Sequence, residues 1–280
     1  MVLWGGNKNK KIYNMTRKAI IIGNNTGLNA PTFLSGVTKD LENYQRYLTS
    51  DGGGRWYYWE NLPNLTEVEI LHNQGRQTIL NAIRNCHADY SFVVFTGHGY
   101  TKSRDGLTYI CVNGGEISED ELITSSQKQS LILDCCRQVE SANESYNFSG
   151  TASMMNKAVA LSATLSSPLR KINLPREKFD AALGVTTNGQ FRGYACLIDQ
   201  TSGDNPSSGG VFSTALMKEG LKFSSVNQER YWLTIQEAVI LTKNELAKDP
   251  FTKQVPTYKL IPQRMNLTAP FAITNDKTGF

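Results

Sequence analysis

The chain carries little excess charge of either sign: 29 lysines and arginines stand against 25 aspartates and glutamates, a formal charge of +4 over 280 residues. So mild a balance, with no extended lysine or arginine run, excludes the basic footprint of a nucleic-acid binder. No apolar stretch approaches the roughly 18 residues that a membrane span needs, so no transmembrane segment is predicted. The polar opening, with Asn7, Lys8, Asn9, Lys10 and Lys11, lacks the apolar core of a secretory signal. It reads as a flexible tail over residues 1–16, and the expected location is cytoplasmic. The five cysteines, Cys86, Cys111, Cys135, Cys136 and Cys196, are then expected to be reduced. An odd count with two neighbours adjacent does not make a disulfide framework. Zinc is not expected either, because there is no Cys-x-x-Cys pair and the chain has three histidines. No glycine-rich phosphate loop follows the first apolar run. Gly23-Asn24-Asn25-Thr26 has neither the lysine nor the glycine spacing required, which sets aside a nucleotide-binding α/β protein.

What is present suits a folded chain with a sizeable core: 40% hydrophobic and 19% charged residues. Length alone suggests about two domains at roughly 150 residues each, or equally one large α/β domain. Lys18 to Gly23 reads as a short buried strand. Val37, Leu41, Tyr44 and Leu48 recur at helical spacing and stop at Asp51-Gly52-Gly53-Gly54. Val68 to His72 is a second strand, and Ile79, Ala82, Ile83 and Cys86 mark a second helix. Tyr90 to Thr96 and Ser130 to Asp134 complete four strands. Such alternation predicts βαβ crossovers and a mainly parallel sheet. Further on, Lys157 to Thr164 and Gly193 to Ile198 are strand candidates, Thr234 and Glu237 form a capping box before a helix, and Phe271 to Ile273 reads as a last strand.

In such a sheet the chemistry gathers at the carboxyl ends of the strands. The third strand ends in Gly97-His98-Gly99 and the fourth in Cys135-Cys136-Arg137. A histidine between two glycines and a cysteine at the next strand end can face one another, and the imidazole can activate the thiol as a nucleophile. The alternatives are a plain Gly-His-Gly turn and cysteines that serve as small buried hydrophobes.

Thr96-Gly97-His98-Gly99 followed by Asp134-Cys135-Cys136-Arg137 resembles the histidine and cysteine motifs of caspase-like cysteine peptidases, closest to metacaspases and their bacterial relatives. Three further segments agree in order: Gly36 to Leu48, Asp199 to Asp204 with Gly210-Val211-Phe212, and Gln254-Val255-Pro256. The resemblance implies a caspase-like α/β/α sandwich as a single domain over residues 17–275. Its large-subunit part would run to about 165, a connection from 166 to 192, and a small-subunit part from 193.

By that resemblance His98 is the catalytic base and Cys136 the nucleophile, with Cys135 a bystander that strand alternation turns to the other face. The backbone N–H groups of Gly99 and Cys136 would form the oxyanion hole. Asp40, Thr96 and Asp134 match the pocket for the substrate residue before the cut. Paired carboxylates there call for Arg or Lys and exclude the Asp that a true caspase takes. Asp40 could instead serve its helix N-terminus, and Asp134 could be a structural carboxylate. The chemistry requires no cofactor. Glu119 and Asp120 fall near two acidic positions by which many metacaspases bind calcium, but Asn113 and Asn143 stand where acids are expected, which argues against calcium. A solvated helix start is the other reading of Glu119 and Asp120. Arg137 departs from the usual metacaspase residue and is more caspase-like.

The partners expected are protein substrates with accessible Arg or Lys, and the protein is expected to be a monomer. Autocleavage is expected in the connection, at Arg170, Lys171, Arg176 or Lys178, because Pro168 and Pro175 discourage regular structure there. The competing expectation is that Glu177 to Leu183 is helical and protected. Programmed cell death or antiphage defence are settings known for such relatives, and no residue here specifies either. A catalytically silent, partner-binding module of the same fold is the rival function, against which the intact His98 and Cys136 argue.

Overall fold

The computed structural model describes residues 15–27, 32–58, 66–140, 174–226 and 230–274. Its layering follows from the first strand, β1 (Arg17–Asn24), which is apolar on both faces. Ala19 and Ile21 point into one core and Ile20 and Ile22 into another, as strand alternation requires. Each isoleucine fully withdrawn from water contributes about 1.5–3 kcal/mol, so a strand of this composition belongs in the middle of a sheet.

The chain continues through α1 (Gly36–Thr49), β2 (Val68–His72), α2 (Arg76–Arg84) and β3 (Tyr90–Gly97). A meander follows, β4 (Gly99–Lys102), β5 (Thr108–Val112) and β6 (Gly115–Ser118), before β7 (Lys128–Asp134) and β8 (Val139–Glu140). The remainder comprises α3 (Leu174–Val185), β9 (Gly189–Tyr194), the short β10 (Asp204–Asn205) and β11 (Gly209–Gly210), and α4 (Val211–Ser225). It closes with β12 (Trp232–Thr234), α5 (Ile235–Leu246), β13 (Thr257–Ile261) and β14 (Pro270–Ile273).

Six strands make the central sheet, in the order β13-β9-β7-β3-β1-β2. All neighbours are parallel except β13, which runs antiparallel to β9 at the edge. On one face Ile21, Phe92, Val94 and Ile132 pack with Tyr44 of α1, Phe179 of α3, Leu216 of α4 and Val239 of α5. On the other, Val93, Phe95, Leu131 and Leu133 pack with Ile79 and Ile83 of α2 and with Ile110 and Ile117 of the meander. The capping box is present in both halves, Glu237 N–H donating to Thr234 Oγ1 at 3.2 Å and Thr234 N–H to Glu237 Oε2 at 3.0 Å.

The structure corrects three expectations. The strand predicted over Gly193 to Ile198 lies earlier, at Gly189–Tyr194, because the polar Arg192 within it is neutralised by Glu119 and Asp120. Leu197 and Ile198 instead lie exposed beyond the strand end. The connection over 166–192 is not an open segment from Leu174 onward. It holds α3 and β9, with Arg176 paired to Glu67 and Lys178 buried. Glu119 and Asp120 begin a turn after β6 rather than a helix. Lys157 to Thr164 lies outside the described residues.

Candidate active site

Parallel neighbours β3 and β7 end in register, Thr96 opposite Asp134, so the residues that follow them emerge side by side. His98 and Cys136 both line one small cleft, of about 50 Å³ and open to solvent, together with Thr96, Asp134, Ser202 and Asp204. Cys135, one residue away, points to the opposite side and is buried in the core beneath α2 and the meander. Gly99 begins β4 and packs directly over it: a Cβ at Gly99 would lie 2.6 Å from Cys135 Sγ.

The imidazole of His98 is fixed by Thr32, whose carbonyl oxygen lies 2.8 Å from Nε2. A carbonyl can only accept, so Nε2 carries the hydrogen and Nδ1 is the basic nitrogen. Burial holds the His98 pKa below its ordinary 6.5, against the opposing pull of the Thr32 carbonyl and the Asp204 charge. Burial also pushes the Cys136 thiol up to about 11, despite a 3.4 Å hydrogen bond from Ser202 N–H to Sγ. At neutral pH the two groups rest as thiol and neutral imidazole, and the arrangement suits proton transfer during attack rather than a standing ion pair.

Two carboxylates underlie the cleft. Asp40, on α1, has no exposed surface. It accepts from Thr96 Oγ1 at 2.6 Å and from Gly210 N–H at 2.9 Å. Asp134, at the end of β7, accepts from Ser202 Oγ at 2.5 Å and from Ser213 N–H and Oγ at 3.0 and 2.6 Å. Only glycine fits at 210, since a Cβ there would lie 2.4 Å from Asp134 Oδ2. Burial, then the charge of Asp134, raises the pKa of Asp40, while Thr96 and Gly210 pull it back. Burial raises that of Asp134 too, opposed by Ser202 and Ser213. Two such groups hold a proton or await a cation.

The other predicted positions lie elsewhere. Glu119 is buried and accepts from Arg192 Nη1 at 2.9 Å, Tyr194 Oη at 3.0 Å and Thr108 N–H at 3.2 Å. Asp120 accepts from the same Arg192 nitrogen at 2.6 Å. A guanidinium of the chain itself therefore sits between the two acids. Asn113 lies on the loop after β5 and Asn143 outside the described residues. Arg176 and Lys178 belong to α3, whereas Arg170 and Lys171 fall outside the described residues. Arg137 is buried over the Tyr194 ring at 3.9 Å, with Nε donating to Thr108 Oγ1 at 3.0 Å.

Sequence reasoning missed Thr32, which acts through a backbone carbonyl and leaves no side-chain signal. It missed Asp204 as a site residue, although the segment that holds it, Asp199 to Asp204, carries part of the resemblance. Ser202 and Ser213, which donate to Asp134, were also missed; small hydroxyl residues in loops are too common to mark a site.

The caspase-domain family model (Peptidase_C14) matches residues 16–267. No curated protein matches the chain. The crystal structure of caspase-1 from Spodoptera frugiperda is similar, with a TM-score of 0.51 and 14% sequence identity, covering 95% of this chain and 94% of that one. At that identity the likeness speaks for the fold. No helix among the described residues is long and apolar enough to cross a membrane. With a cysteine and a histidine at the ends of adjacent strands and nearly the whole chain under one family model, the protein belongs to the caspase-like cysteine peptidases.

Proposed function

We propose that the protein is an endopeptidase of metacaspase type that cuts its substrates after Arg or Lys. The observation that carries this is the cleft itself: Cys136 and His98 on its wall, Asp134 at its floor and Asp40 behind it. Sγ of Cys136 attacks the scissile carbonyl carbon while its proton passes to Nδ1 of His98. The backbone N–H groups of Gly99 and Cys136 take the negative charge that develops on the carbonyl oxygen. His98 then returns the proton to the leaving amine, and water hydrolyses the acyl-enzyme with His98 again as base. The buried acids favour a cation in the substrate side chain and repel Asp.

The same reading extends to regulation. Arg192 already supplies positive charge to Glu119 and Asp120, which supports activity without calcium. Arg176 is tied by two hydrogen bonds to Glu67, at 2.7 and 2.6 Å, and Lys178 is buried, which supports self-processing at Arg170 or Lys171 instead.

The test is a pair of fluorogenic peptides ending in Arg or Asp, given to the wild type and to Cys136→Ala, His98→Ala and Cys135→Ala. Turnover of the Arg peptide alone is expected, lost in Cys136→Ala and His98→Ala and largely kept in Cys135→Ala. Faster turnover of the Asp peptide, or full activity without Cys136, would refute the proposal.

A further inference from the structure

Asp40 and Asp134 stand differently toward the cleft. Asp40 is fully buried and does not line the cleft. Asp134 does line it, and accepts from Ser202 on one oxygen and from Ser213 twice on the other, which leaves it about one acceptor site for a cation.

Asp204 stands differently. It lies on the wall of the same cleft as Cys136 and His98 and is only partly buried. It sits on β10, whose partner β11 supplies the Gly210 N–H that Asp40 accepts, with Asp204 paired opposite Gly210. The hairpin thus brings Asp204 near the two buried acids, and its charge is felt by Asp40, Asp134 and His98 alike. The neighbouring backbone is shaped to admit the carboxylate. Gly36 N–H donates to Asp204 Oδ2 at 3.2 Å, and a Cβ at Gly36 would lie 1.9 Å from Oδ1. A carboxylate on the wall of a peptidase cleft, with two more acids close by, suits a cationic side chain entering there.

We propose that Asp204 is a further carboxylate that pairs directly with the cationic side chain of the substrate residue before the cut, beside Asp134 and with Asp40 buried behind them. This rests on the reading of the protein as an Arg/Lys-specific peptidase. Asp204 is on this view a specificity-determining residue. It acts mainly on substrate capture, because the ion pair forms in the bound ground state and persists in the transition state.

The experiment compares two peptides that differ only in Arg against citrulline, which keeps the shape of the side chain and removes its charge. Wild type is expected to prefer Arg. Asp204→Asn keeps an acceptor for Gly36 N–H and removes the charge, so the Arg-to-citrulline ratio in kcat/KM should fall by about 10- to 100-fold, chiefly through KM. Thermal unfolding of the same sample reports whether the variant folds; if it does not, Asp204→Ser, which is smaller beside Gly36, takes its place. A ratio unchanged from wild type, with both peptides slowed equally through kcat, would overturn the proposal and make Asp204 a partner of His98. A wild type that does not distinguish Arg from citrulline would instead overturn the underlying specificity, and this assignment with it.

Discussion

Because burial raises the Cys136 thiol from 9.0 to about 11 and lowers His98 from 6.5, the resting enzyme should hold an inert thiol. At pH 7.5 a thiol with a pKa of about 9 is ionised to about 3%, and one near 11 to about 0.03%, a loss of about 100-fold in thiolate. A more basic thiolate is a better nucleophile, and a Brønsted slope of about 0.5 returns about 10-fold over such a shift. Alkylation of Cys136 by iodoacetamide at that pH should therefore run about 10-fold slower than that of a free thiol. The assay follows Cys136 modification by mass spectrometry from pH 6 to 11, beside glutathione. The rate should climb through the alkaline range without a plateau near neutrality, and His98→Ala should leave the curve in place, since no imidazolium supports the thiolate. A plateau reached below pH 8 and lost in His98→Ala would show a standing ion pair and refute the reasoning. The same picture gives the sign of the acid limb of kcat/KM. Catalysis needs His98 neutral, burial keeps it neutral below its ordinary pKa, and activity should persist below pH 6.5 before protonation removes the base.

The remaining predictions concern the groups around the site. Arg192→Met leaves the buried Glu119 without its cation and should cost about 3 kcal/mol of stability by chemical denaturation; a loss below about 1 kcal/mol would mean that the Tyr194 and Thr108 donors suffice. Chelating calcium with EGTA should leave turnover of an Arg peptide unchanged, and activity lost to EGTA and restored by calcium would contradict the role given to Arg192. Incubated wild type, unlike Cys136→Ala, should yield a new N-terminus at Lys171 or Ile172 on sequencing; cleavage before Glu177 or Phe179 would show that α3 opens.

The sequence was legible where side-chain chemistry and backbone period coincide. Two apolar strands ending in His98 and Cys136 announce their position, because parallel strands deliver their last residues to one edge. Asp40, Thr96 and Asp134 needed the resemblance to be picked out, since an acid near a helix start or a strand end has many ordinary uses. Pro175 misled in the opposite direction: read as a breaker, it stands in the first turn of α3, where a missing N–H costs nothing. Phe179, Ala182 and Leu183 behind it already carry the helical spacing. The start of β9 is hidden in the sequence because a charge inside a six-residue strand is tolerable only with a partner, and the partner of Arg192, Glu119, is 73 positions away. Thr32 had no signal to give, since any residue offers a carbonyl.

The order of strands also bears on what self-processing can do. Neighbours β7 and β9 lie on opposite sides of residues 170 and 171 in sequence, yet they are bonded along their whole length in one sheet. Helix α3 is tied to β1 by Arg17, which approaches Asp180 at 3.4 Å, and to the residue before β2 by Arg176 on Glu67. A cut at Arg170 or Lys171 thus breaks the chain without breaking the core, because the pieces share the apolar surface that stabilises both. Ser202 and Asp204 come after that cut, whereas His98, Asp134 and Cys136 come before it. The cleft is thus assembled from residues on both sides of the proposed processing point, and the paired β7 and β9 would keep the central sheet together after the cut.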